Sequence, residues 1–230
     1  MGNIKAVLWD IDGTLLDFQV AEQYAIRACF EKLGLGECSD EMLRDYIRIN
    51  AGYWRRLEKG ELTKPQVLVG RFEEFFERYG IDAAAALAFN EEYQVRLGDT
   101  ICFCSNALET VRALKGRALQ YAVTNGTKTA QERKLEKSGL NGLLEGVFIS
   151  EIIGIEKPMK GFFERVFQEI GNFRKDEMMI VGDSLTSDIQ GGNNAGIVTC
   201  WYNPAGEKSP ADLRIDYEIK DIKEVVTIVG

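Results

Sequence analysis

The chain has 230 residues, 45% hydrophobic and 28% charged, a composition that fits a globular protein with a substantial core and excludes a disordered or fibrous one. Its net charge of −8 argues against a nucleic-acid polymer as partner, because that partner needs a basic face. A small anionic ligand stays admissible where a cation or helix N-termini make its site locally positive.

The first apolar run, residues 4–9 (Ile-Lys-Ala-Val-Leu-Trp), reads as a strand and shows no signal-peptide architecture. Met1-Gly2 resembles a myristoylation start, but position 6, where that motif needs a hydroxyl, is Ala6, so the motif is rejected. Residues 19–34 and roughly 39–58 follow as helices. Thr63-Lys64-Pro65-Gln66 has the form of a capping box with proline in the first turn. Behind it Leu68, Phe72, Phe75, Phe76 and Tyr79 fall on one helical face. Phe89, Tyr93 and Leu97, four apart, mark a further helix over 83–97, and another fits 107–116.

From there, strands at 119–124, 147–149, 178–181 and 197–200 alternate with helical patterns near 128–138, 160–171 and 185–194. A short strand near 216–219 and a helix at about 220–228 come last. Such alternation implies a parallel sheet with helices on both faces. The step from the first strand to the second spans more than a hundred residues, where a crossover needs about a dozen, so it must hold structure of its own. The expected fold class is α/β. A Rossmann-like, doubly wound parallel-sheet core occupies residues 1–17 and 100–230, and an all-α helical cap domain is inserted at 18–99.

The five cysteines, at 29, 38, 102, 104 and 200, are odd in number and form no ligand-type pair, so reduced, buried thiols of a cytoplasmic protein are expected. No run approaches the ~18 apolar residues of a membrane span. There is no histidine, which removes His-bound metals, Ser–His and Cys–His nucleophile pairs and phosphohistidine chemistry. Carboxyl groups are then the first candidates for proton transfer.

In a parallel sheet, ligands sit at the carboxyl ends of the strands. The first strand runs into Asp10-Ile11-Asp12-Gly13-Thr14, and the second into Thr124-Asn125-Gly126-Thr127. Glu156-Lys157-Pro158 stands after the third, and the fourth runs into Gly182-Asp183-Ser184-Leu185-Thr186-Ser187-Asp188. Each stretch alone has a structural explanation: turn dipeptides, a helix cap at Asp183 or Ser184, a solvated loop lysine. Together they gather carboxylates, a hydroxyl, an amide and an ammonium at one rim. An aspartate is a competent nucleophile toward phosphorus if a cation screens the approach of anion to anion, and Mg²⁺ favours carboxylate, carbonyl and water oxygens. Lys157 and the Thr124 hydroxyl suit phosphoryl oxygens, and Asp12 is placed to protonate a leaving oxygen.

These residues, in this order, resemble the haloacid dehalogenase (HAD) superfamily: a D-x-D-G-T start, T-N-G, K-P, then G-D-S-x-x-x-D, with an insertion like a C1-type cap. The resemblance implies that Asp10 is the nucleophile and Asp12 the general acid and base. It implies Mg²⁺ held by the Asp10 carboxylate, the Asp12 backbone carbonyl and Asp183, with Asp188 in the outer shell. Thr124, Asn125 and Lys157 would bind the phosphoryl group. Dehalogenases lack a carboxyl group at the position of Asp12, so its presence favours phosphate esters. The stretches "RFEEFFERYG", "TNGTKTAQERKLEKSGL", "ISEIIGIEKPMKGFFE", "VGDSLTSDIQGGNNAGIVTCWYNP" and "INAGYWRRLEKGELT" are similar to the bacterial pyrimidine 5'-nucleotidase branch. That implies a small phosphorylated metabolite, a nucleoside 5'-monophosphate, as substrate. Asn50, Tyr53, Trp54 and Arg71 are the cap candidates for touching base or ribose. The same motifs accommodate a phosphatase of sugar phosphates or phosphoglycolate, a phosphomutase, or a non-catalytic metabolite sensor. Monomer and dimer both stay open.

Overall fold

The computed structural model describes residues 4–230; residues 1–3, including Met1-Gly2 and the start of the expected first core segment, lie outside the described residues. The strands are β1 (Ala6–Trp9), β2 (Leu119–Thr124), β3 (Gly146–Ile149), β4 (Met178–Gly182), β5 (Val198–Tyr202) and β6 (Tyr217–Ile219). They form one sheet in the order β3-β2-β1-β4-β5-β6, and every pairing is parallel.

Alternation along β1 and β4 explains the layering. Val7, Trp9, Met179 and Val181 point into one apolar cluster with Ala107, Val111, Leu114, Val225 and Val229. Ala6, Leu8, Met178 and Ile180 point into another with Phe162, Phe163 and Val166. Both faces of the central strands are thus buried under helices, as their unbroken apolar runs require.

The helices are α1 (Phe18–Leu33), α2 (Asp40–Glu58), α3 (Lys64–Tyr79), α4 (Ala86–Asp99), α5 (Ala107–Leu114), α6 (Lys128–Ser138), α7 (Ser150–Ile153), α8 (Lys160–Ile170), α9 (Gln190–Ala195) and α10 (Val225–Val229). Those from α1 to α4 share a third apolar cluster of their own. Tyr46 stacks on Phe72 with ring centres 5.2 Å apart, and Phe72 meets Phe89 at 4.9 Å. That aromatic density lets about 80 residues form a packed unit beside the sheet. Among the described residues, no helix is long and apolar enough to cross a membrane.

The chain leaves β1, builds β2 and β3 outward on one side, then crosses to β4 on the other. The order of strands therefore reverses beside β1, and a ligand crevice forms at such a switch point. Pairing of Trp9 with Val181 puts the residues after β1 and β4 side by side.

Four local readings change, and one is the helix expected at about 220–228, which starts as a 3₁₀ turn, Ile222–Glu224, before α10. The helix expected at 185–194 is a π-helical turn, Leu185–Ile189, followed by α9. Asp188 N and Ile189 N both bond Ser184 O, at 2.9 and 3.1 Å, and this wider turn carries the Asp188 side chain inward. The helix expected from 83 begins as a 3₁₀ turn, Ala83–Ala85. Cys102 and Cys104 are only half-buried, whereas Cys29, Cys38 and Cys200 are buried; all five are free thiols.

Candidate active site

Asp10 leaves β1 with its N–H still bonded to Val181 O at 2.9 Å, so its position is fixed by the sheet ladder. Gly13 turns the chain back at φ +90°, and a Cβ there would stand 2.5 Å from Asp183 Oδ2. Only glycine allows this approach of the β1 loop to the β4 loop. Thr14 fastens the two together, accepting from Asp183 N at 3.1 Å and donating to Asp183 Oδ1 at 3.3 Å.

Lys157 is 1% exposed. Its ammonium donates to Asp10 Oδ1 at 2.8 Å, Asp188 Oδ1 at 2.6 Å and Val123 O at 2.8 Å. The Asn125 side chain clamps the Lys157 backbone from both sides: Nδ2 donates to Lys157 O and Oδ1 accepts from Lys157 N, each at 2.8 Å. The amide of Asn125 is therefore committed to holding the lysine loop. The buried Thr124 hydroxyl accepts from Gly126 N at 3.0 Å, which leaves its proton available to a ligand.

Oxygens of Asp10, Asp183 and Asp188 all lie within 4.8 Å of one another. Burial raises the pKa of Asp10 well above the usual carboxylate range; Lys157 opposes this, and Asp188 and Asp183 add to it. Asp183 opens onto the cavity, yet the protein enclosing that cavity and the Asp188 carboxylate raise it too. Burial works against the charge of Lys157, but Asp10 and Asp188 hold it above the ordinary lysine range. Three carboxylates around one ammonium leave a negative excess with oxygen donors only. That donor set fits a hard divalent cation.

Asp12 stands to one side. Gln131 Nε2 donates to its Oδ2 at 2.6 Å, and the buried ammonium of Lys134 donates to its Oδ1. Gln131 and Lys134 were not singled out in the sequence; both lie on α6, three apart, on its buried face.

These groups floor a cavity of about 560 Å³, roofed by α1 and α2. Ile47, Asn50, Ala51, Trp54, Arg55 and Glu58 line it, a stripe with helical spacing. Tyr53 belongs to the next stripe and lines a separate groove with Arg48, Gly52 and Arg56, so it does not face this cavity. Arg71 lies behind Asn50, donating to Asn50 Oδ1 at 2.7 Å and Asn90 Oδ1 at 3.1 Å. Its guanidinium sits 4.7 Å from the ring centre of Phe72 and 5.1 Å from that of Tyr93. It lines a pocket of only about 30 Å³ beside Asp12 and Gln131. Glu22, an acid within the buried stripe of α1, lines the large cavity and was missed in the sequence. Glu58 is bonded to Thr186, and Lys64 Nζ donates to Ser150 Oγ at 2.5 Å, so α2 is fastened to the π-helical turn beyond β4 and α3 to the start of α7 beyond β3.

The all-parallel sheet gathers aspartates, a buried lysine and a threonine at its carboxyl ends under a helical roof, which is where a parallel α/β enzyme holds its ligand. The chain belongs to the haloacid dehalogenase-like hydrolase family, whose model matches residues 4–196. It is 36% identical over its whole length, and 97% of the relative's, to a Bacillus subtilis protein named as HAD-hydrolase YfnB. The crystal structure of that protein, bound to magnesium and described as revealing interdomain movement, superposes with a TM-score of 0.93 at 35% identity over 100% of both chains. Pyrimidine 5'-nucleotidase PynA of Streptococcus pneumoniae is 34% identical over 96% of this chain and 93% of its own. Glyceraldehyde 3-phosphate phosphatase of Methanopyrus kandleri is 28% identical over 98% and 97%.

Proposed function

We propose that this chain is a Mg²⁺-dependent phosphatase of small phosphate monoesters, with pyrimidine nucleoside 5'-monophosphates as its substrates. The observation that carries the reading is the convergence of the Asp10, Asp183 and Asp188 carboxylates, two of them bonded to Lys157, at the floor of a cavity of about 560 Å³, within the range of small-ligand sites. The identity to PynA, along nearly the whole chain, supports the substrate class.

In this reading Asp10 attacks phosphorus and carries the phosphoryl group as an aspartyl-phosphate, and water then hydrolyses it. Asp12 gives its proton to the leaving ribose oxygen and takes one back from that water. The carboxylates of Asp10 and Asp183 and the Asp12 backbone carbonyl would hold Mg²⁺, with Asp188 supporting from the outer shell. When bound, the ion neutralises charge on the phosphoryl oxygens. Lys157 and the Thr124 hydroxyl hold those oxygens, while Asn125 acts by fixing the Lys157 loop. Residues 18–99 serve as a cap over a core formed by the rest of the chain, and Asn50 and Trp54 face the nucleoside. The enzyme works in the cytoplasm on a free metabolite.

The test is phosphate release from a panel of nucleoside monophosphates, ribose 5-phosphate, glyceraldehyde 3-phosphate and phosphoglycolate, with Mg²⁺ and with EDTA. The expected result is release that requires the ion and is fastest with UMP or dUMP. Faster turnover of a sugar phosphate would overturn the nucleotidase reading, and ion-independent release would overturn the site.

A further inference from the structure

Glu22 lines the cavity that also holds Asp10 and Lys157, and is only 2% exposed. Asn50 Nδ2 donates to its Oε1 at 2.6 Å, the sole hydrogen bond of this carboxyl group among the described residues. Arg71, whose charge also acts on it, gives its guanidinium to Asn50 and Asn90 instead. Hydrogen bonding in this wall therefore runs one way: Arg71 to Asn50, Asn50 to Glu22. Glu22 is the last acceptor, and Oε2 is left for something else. A carboxyl buried without an ion pair is a costly choice for mere packing beside Ala21, Ala25 and Ile26, where an apolar side chain would serve. Burial lifts its pKa to about 7 against the pull of Asn50 and Arg71, so at pH 8 it is mostly ionised and accepts only.

We propose that Glu22 Oε2 accepts a hydrogen bond from the ring imide N–H of a uracil or thymine base lying against Trp54, making Glu22 a specificity-determining residue of the cavity. The inference rests on the nucleotidase reading and extends it. The phosphate end of the ligand is fixed at the floor by Lys157 and Thr124. Of the buried polar groups in the roof, Asn50 is matched on both sides and the Glu22 carboxyl still lacks a donor, so it recognises the part of the ligand that donates. A base offers that N–H on a flat ring with an apolar face, which suits the Trp54 indole on the same stripe of α2.

The decisive comparison is kcat/KM at pH 8 for UMP and for N3-methyl-UMP, which lacks the N–H, in the wild-type enzyme and in Glu22→Ala. The wild type is expected to prefer UMP by about 10- to 100-fold, the usual consequence of leaving a buried charged acceptor unmatched. In Glu22→Ala the ratio is expected to fall to within about threefold, through a rise in KM for UMP. A purely structural role would depress both substrates alike and leave the ratio unchanged. The wild-type ratio needs no variant, so a variant that fails to fold cannot hide the answer. Equal use of both nucleotides by the wild type, or an unchanged ratio in Glu22→Ala, overturns the assignment to Glu22 while the nucleotidase reading stands. A wild type that cleaves ribose 5-phosphate but not UMP overturns that reading, and the role of Glu22 with it.

Discussion

Replacing Lys157 by methionine removes the charge at the centre of the site and keeps most of the side-chain volume. Asp10 and Asp188 each lose an ammonium within 2.8 Å, and Val123 O loses its donor. Unpairing a buried charge cluster in this way costs about 3–5 kcal/mol, of which the carbonyl accounts for about 1 kcal/mol. In a domain of this size that is a fall in melting temperature of roughly 6–20 °C. Sign and pH follow from Asp10. Its folded pKa already lies above the unfolded value, and Lys157 is what opposes the rise. Without the lysine that pKa climbs further, so the folded state loses more stability as pH increases, and protonation partly relieves the loss at low pH. Urea unfolding in EDTA at pH 5 and pH 8 measures both effects. The variant should be less stable than the wild type at both values, and the deficit should be larger at pH 8. A deficit below about 1 kcal/mol, or one equal at the two pH values, would refute the view that Lys157 holds these carboxylates together.

Glu22 gives a second signature: its pKa rises from 4.5 to about 7 on folding, so its protonated form is favoured and its contribution to stability falls as pH rises through that interval. The fall amounts to about 3 kcal/mol, and melting curves at pH 4.5 and pH 8 should show it in the wild type and not in Glu22→Gln; identical pH dependence would remove the premise. In the first turnover, Asp12→Asn should slow nucleoside release from a nucleotide by about 10²- to 10⁴-fold but p-nitrophenolate release from p-nitrophenyl phosphate by less than about tenfold, because the second leaving group needs no proton; the later hydrolysis of the aspartyl-phosphate slows alike for both. Equal first-turnover losses would deny Asp12 the acid role. Gly13→Ala forces a side chain into φ +90° against Asp183, so titration calorimetry should find Mg²⁺ affinity reduced at least about tenfold; unchanged affinity would separate Asp183 from the ion.

The sheet was legible because its strands are bare apolar runs followed by polar rims: the expected strand at 119–124 coincides with β2, and that at 178–181 differs from β4 by one residue. The helical insertion was legible for the same reason, since Phe72, Phe75, Phe76, Phe89 and Tyr93 repeat at helical spacing and are all fully buried. What escaped was anything set by tertiary pairing. The π-helical turn at Leu185–Ile189 carries Asp188 inward to Lys157, a partner 31 residues away that no local pattern names. Glu22, Gln131 and Lys134 lie on helices whose periodicity marks them as inward-facing but says nothing of what they meet. Tyr53 was separable in principle, being one residue off the stripe shared by Asn50 and Trp54.

The claim on which the rest depends is that one divalent ion joins the ends of β1 and β4 while Asp10 carries the phosphoryl group. A crystal structure with Mg²⁺ and beryllium fluoride tests it most directly. The expected density is a fluoroberyllate bonded to the Asp10 carboxylate, with a single ion between Asp10 and Asp183 and the Lys157 ammonium against the fluorides. A fluoroberyllate on any other side chain, or an ion out of contact with Asp183, would contradict it.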